Sequence, residues 1–160
     1  MSQRAAAILA SAVVPALDLL PRRMDTPDAR VALLAIGLQE SGLEHRRQLG
    51  GGPARGLWQF ERGGGCVGVL NHAASRDLMR WVCHDRGASA STGLLHTRLE
   101  HDDILAAAAA RLLLYTDPHP LPAEDDADGA WSYYLRVWRP GKPHPDSWAA
   151  LHAEALETVL

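Results

Sequence analysis

A carboxyl group kept partly dry holds its proton closer to neutral pH than one in water, and so can serve as an acid. The stretch Ile36–Phe60, IGLQESGLEHRRQLGGGPARGLWQF, offers one candidate for that role, Glu40. Apolar residues lead into it, Ser41 follows it, and the first cations downstream are Arg46 and Arg47. Such an acid could pass a proton to a leaving oxygen and later take one back; the plainer reading is a structural carboxylate near a helix end. Ser41 and the Gln59 amide are candidates for binding a substrate or orienting the acid. Trp58 offers either a face for a ligand ring or one more core aromatic. Glu44 and Glu61 are the available second carboxylates, Glu44 being better suited to a solvated loop beside His45, Arg46 and Arg47. Cys66, His72, Cys83 and His84 match no metal-ligand spacing, so no metal and no cofactor are expected.

The element that must position Glu40 is the clearest in the chain. Thr26 can cap a helix, Pro27 suits its first position and Asp28 complements the positive end of its dipole. Val31, Leu34, Ala35 and Leu38 then recur at helical spacing, which predicts a helix from Pro27 to about Ser41 with Glu40 near its end. Gly42 and GGGPARG break the helix and allow close backbone approaches. Upstream, residues 4–14 read as an alanine-rich helix that Pro15 kinks or restarts through Leu20. Downstream, a helix is expected from about His72 to His84, with Asn71 as cap and Ala74, Leu78, Trp81 and Val82 on its inner face. Another begins near Asp102 and Asp103 and runs through ILAAAAARLLLY. After a proline-rich acidic loop, AWSYYLRVW places Trp131, Tyr134, Leu135 and Trp138 on one stripe. A last helix is expected from Ser147 or Trp148, with Trp148, Leu151, Ala155, Leu156 and Val159 inward.

These elements predict one mainly α domain over residues 1–160, with at most a small irregular or β element near residues 53–70. A net charge of −3 gives no field to attract nucleic acid or an anionic membrane, and no apolar run is long enough to span a bilayer. The start, MSQRAAAILASAVVPALDLL, loosely resembles a secretion signal, but Pro15 and Asp18 interrupt it and a first helix is the expected form. Two cysteines are too few for a disulfide framework, and whether they pair is left open by their spacing.

QES at a helix end, a short loop and then ARGLWQF resemble the glutamate helix and Gly-x-x-Gln element of lytic transglycosylases in the soluble lytic transglycosylase and goose-type lysozyme superfamily. Glu40 and Ser41 match the family's Glu-Ser pair; Ala54, Arg55, Gly56, Leu57 and Gln59 match its Ala-Arg-Gly-Leu-x-Gln run, across a loop about one residue longer than the common form. The likeness covers Leu33 to Phe60, and the rest of the chain shares only its order of helices. It implies a lysozyme-like fold and cleavage of the β-1,4 bond between N-acetylmuramic acid and N-acetylglucosamine in bacterial peptidoglycan, with Glu40 as the catalytic acid and base. The family's reaction needs no second protein carboxylate, because the muramic N-acetyl group and 6-hydroxyl close a 1,6-anhydro ring. Ser41, Trp58 and Gln59 would then bind substrate. A tyrosine from a late helix supports the glutamate in the family; WSYYLRVWRPG supplies Tyr134 as the counterpart, with Tyr133 next and Tyr115 a further choice, but lacks the usual asparagine. Glu61 keeps a hydrolytic muramidase open, and a non-catalytic phage particle protein with the same fold is the rival of another class. With no wall-binding module apparent, the expectation is a phage or prophage protein, made in the host cytoplasm and acting in the periplasm or wall.

Overall fold

The computed structural model describes residues 2–160 and is mainly α-helical, as the composition predicts. The chain opens with α1 (Gln3–Ile8), a π-helical turn over Leu9–Val13 and α2 (Val14–Asp18). Pro15 explains the wide turn: it has no N–H to donate and its ring excludes the carbonyl of Ser11, so the helix loosens just ahead of it. Next comes α3 (Pro27–Ser41), whose bounds are those the sequence predicts. The Thr26 hydroxyl accepts from the Ala29 N–H at 3.3 Å, and left-handed Gly42, φ 64°, ends it.

The helix expected from His72 to His84 starts later, as α5 (Arg76–Asp85), and a separate short helix not expected from the sequence, α4 (Val67–Asn71), precedes it. Asn71 closes α4 rather than capping α5, its amide donating to the Val67 carbonyl. The buried Ser75 hydroxyl donates to the Val69 carbonyl across the break. The inner stripe of α5 is Met79, Val82 and Cys83, which leaves Trp81 half exposed, contrary to the expected core position. Then follow α6 (Thr92–Leu99), which the sequence reading does not anticipate, α7 (Asp103–Tyr115), α8 (Ala127–Trp138) and α9 (Pro145–Val159). α9 starts ahead of the expected Ser147 because Pro145 suits the first helical turn.

One apolar cluster joins residues from Ala5 to Ala155. Its axis is α7: Asp102 caps the first turn, and Ala106 to Ala110, followed by Leu112 to Leu114, are buried whichever way they face. Their small side chains let α2, α5 and α3 approach the helix closely. α3 is the second buried rod, lying along α9. In the 53–70 region the β element is reduced to isolated antiparallel bridges, Arg47 with Arg55 and Arg55 with Phe60. No helix among the described residues is long and apolar enough to cross a membrane.

Candidate active site

Glu40 occupies the penultimate position of α3, where the helix dipole offers a carboxylate nothing. Its side chain is half-buried and meets one aromatic residue, which a cluster of rings holds in turn. The Tyr134 hydroxyl, brought by α8, donates to Glu40 Oε1. Tyr134 is itself buried and stacked on Trp148, with centroids 5.3 Å apart and planes 9° from parallel; Trp131 lies against both rings. Trp138, one turn on from Tyr134, meets Phe60 edge to face at 5.9 Å and donates its indole N–H to the Trp58 carbonyl at 3.0 Å. The carboxyl and the loop of residues 56–60 are thus held to one aromatic frame supplied by α8 and α9.

Burial raises the Glu40 pKa above the ordinary glutamate value, and the Tyr134 hydrogen bond pulls the other way by less; the balance is upward. Positive charge does not oppose it. Arg46 forms a two-pronged pair with Asp103, at 2.9 and 2.5 Å, and Arg47 pairs with Glu100, so the loop cations are drawn toward α6 and α7. Tyr134 stays a hydrogen-bond donor throughout the physiological range, because burial and the neighbouring carboxylate push its own pKa far up.

The loop from Arg55 to Phe60 is a tight turn closed by reciprocal backbone hydrogen bonds of 2.9 Å between these two residues. Gly56 takes φ 78° and lies so near α6 that a Cβ would stand 2.8 Å from the Leu99 carbonyl oxygen. Gln59 also has positive φ, 52°, a strained conformation for a residue with a side chain. Its amide secures the turn, donating to the carbonyls of Gly56 at 2.9 Å and His45 at 3.3 Å, and makes no hydrogen bond to Glu40. Arg55 likewise serves the loop, donating to the Gly52 and Ala54 carbonyls.

Several expected site residues have other duties. Ser41 is buried and its hydroxyl donates to the Leu57 carbonyl at 2.6 Å, fastening the loop to the helix end instead of meeting a substrate. Trp58 is 1% exposed and its indole N–H donates to the Leu33 carbonyl, so neither ring face is open to a sugar. Tyr133, next to Tyr134 on α8 but turned about 100° around the helix, is buried and donates to the Leu114 carbonyl. Glu61 is exposed, and Glu44 pairs with Arg4 at 3.1 Å. Trp138 and Trp148, which frame the site, are read from sequence as core. No signal within their own helices distinguishes core from site, since the partner lies on α3. Cys66 and Cys83 are buried free thiols, and no group of metal-binding side chains occurs among the described residues.

Two concavities lie elsewhere on these helices, neither of them lined by Glu40. One, lined by Ile36, Tyr134, Trp148 and His152, runs between α3, α8 and α9; the other opens below Tyr133. Comparison of the chain with protein-family models, curated proteins and solved structures finds no match.

Proposed function

We propose that this protein is a peptidoglycan lytic transglycosylase, cleaving the β-1,4 bond between N-acetylmuramic acid and N-acetylglucosamine with Glu40 as its one acid and base. The observation that carries the reading is the Glu40–Tyr134 pair: a half-buried carboxyl, free of cation partners, whose proton affinity is raised by burial while a phenol fixes one oxygen. The sequence resemblance of the adjoining loop supplies the substrate class.

Protonated Glu40 gives its proton to the glycosidic oxygen as the bond to muramic C1 breaks. The muramic acetamido oxygen bonds to C1 and bears the developing positive charge. The C6 hydroxyl then attacks C1, displaces the acetamido oxygen and returns its proton to the Glu40 carboxylate. The sugar leaves as the 1,6-anhydro product, no water is consumed, and the acid is restored. Tyr134 donates to the carboxylate in the interval when it is charged, offsetting part of the cost of a buried anion.

The partner on this reading is the glycan strand of the bacterial wall, reached in the periplasm or wall by a phage or prophage product. Purified wild type and Glu40→Gln incubated with peptidoglycan, followed by mass spectrometry of the soluble products, tests it. Muropeptides ending in 1,6-anhydromuramic acid from wild type alone are the expected result. Ordinary reducing ends replace the reading with a hydrolase, and no products from either protein replace it with the non-catalytic particle protein.

A further inference from the structure

The second concavity has a buried cation at its wall. Arg111, on the penultimate turn of α7, is 6% exposed, and of its nitrogens only Nε has a hydrogen-bond partner, the Met24 carbonyl at 3.0 Å. No fully enclosed side-chain nitrogen or oxygen among the described residues lacks a partner, so the two terminal nitrogens must reach the open space beside them. That space is a cavity of about 380 Å³ walled by Tyr115, Tyr133, Leu121, Pro118 and Pro120, large enough for a small organic molecule. A guanidinium cannot shed its charge at physiological pH, so a buried one without a carboxylate partner is costly unless an anion reaches it.

The neighbouring carboxylates do not take that place. Asp117 lines the same cavity but is held by Arg136 at 2.6 Å and by His119 at 2.8 Å. Asp28 acts on Arg111 only through its field, outside ion-pair distance. The Tyr115 ring lies 5.9 Å from the guanidinium carbon and covers part of it.

We propose that Arg111 and this cavity bind a carboxylate carried on a small apolar body. The planar fork of the guanidinium matches a carboxylate. The tyrosine, leucine and proline walls suit an apolar body, and the fields of Asp28 and Asp117 weigh against a dianion such as phosphate. A free organic acid and a peptide C-terminus present the same group. The site stands apart from the proposed glycan chemistry and does not depend on it.

Calorimetric titration of the whole protein with benzoate and N-acetyl-Ala-Ala, each beside its amide, and with inorganic phosphate tests the assignment. Each carboxylate that fits is expected to bind about tenfold or more tightly than its amide, the difference a charge-assisted pair makes; which of the two binds better identifies the source. Arg111→Lys, which keeps the charge and loses the fork, is expected to weaken binding, and Leu121→Trp, which fills the cavity while Arg111 is kept, to abolish it. Equal binding of acid and amide by the wild type, binding of neither, tighter binding of phosphate, or full binding by Leu121→Trp overturns the proposal. The wild-type comparison decides it even if the Arg111 variant does not fold.

Discussion

Tyr134→Phe isolates the hydroxyl that touches Glu40. The ring remains, so its stack on Trp148 and its contact with Trp131 persist, and only the donor to Glu40 Oε1 is lost. Hydrogen bonds to a charged acceptor contribute about 1.5–3 kcal/mol, and the ionised carboxylate is the form that loses them. One pH unit corresponds to about 1.4 kcal/mol, so ionisation of Glu40 is expected to move upward by about one to two pH units in the variant. Carboxyl carbon NMR with labelled glutamate, using Glu40→Gln to assign the signal, reads this without assuming any activity. If the protein cleaves glycan, the alkaline limb of its pH–rate profile moves in the same direction. The effect on stability has a definite sign as well. The folded pKa of Glu40 lies above its unfolded value, so proton linkage favours the native state fully below the unfolded carboxylate range. That advantage is lost as pH rises through the folded pKa. In Tyr134→Phe the loss is spread to higher pH. A Glu40 signal that titrates unchanged, or at lower pH, refutes the claim that this phenol stabilises the charged form.

Gly56→Ala adds a methyl 2.8 Å from the Leu99 carbonyl oxygen at a φ of 78°, whereas Gly51→Ala adds one at φ 82° into open space. Thermal melts are expected to show the first destabilised by about 1–3 kcal/mol and the second by clearly less; equal losses would mean that contact with α6 does not hold the loop. Burial pushes the Cys66 thiol up to about 12 and that of Cys83 in the same direction. A thiol-reactive disulfide at pH 8 is therefore expected to leave native protein unlabelled over minutes and to label both cysteines once guanidinium unfolds it; rapid labelling of native protein would show the thiols to be accessible.

The fold is readable where signals are local and agree. In α3 the cap, the proline, the first-turn acid and the apolar spacing coincide, and its bounds follow from sequence. Asp102 marks the start of α7 in the same way. Reading fails where tertiary packing outranks local preference. Asn71 is a good cap by type, yet its side chain bonds back to Val67, and the buried Ser75 makes the corner between α4 and α5. On α5 the inward face carries Met79, Val82 and Cys83, which leaves Trp81 half exposed. α6 is short and carries Gly93 and two threonines, so little in its own sequence declares a helix; it exists because Leu95 and Leu99 fill space under the loop.

The site divides along the same line. Glu40 can be found from its own segment, because desolvation follows from the apolar helix that carries it. Its tyrosine cannot, since the two lie 94 residues apart and adjacent tyrosines stand on α8. Helix geometry makes the choice exclusive: neighbours about 100° apart cannot both face α3. Tyr133 turns to the Leu114 carbonyl, where Arg136 lies over its ring at 4.8 Å. Tyr134 stacks on Trp148 of α9, the helix that runs along α3, and this packing aims its hydroxyl at Glu40. Ser41 and Trp58 show the converse. Both belong to the motif that points to the site, and both are spent on holding it, one fastening the loop and the other filling the space beneath it. A motif residue therefore need not touch substrate to be required. In this chain most of the motif keeps a strained turn beside the end of α3, and the acid it accompanies is tuned by a helix the motif does not contain.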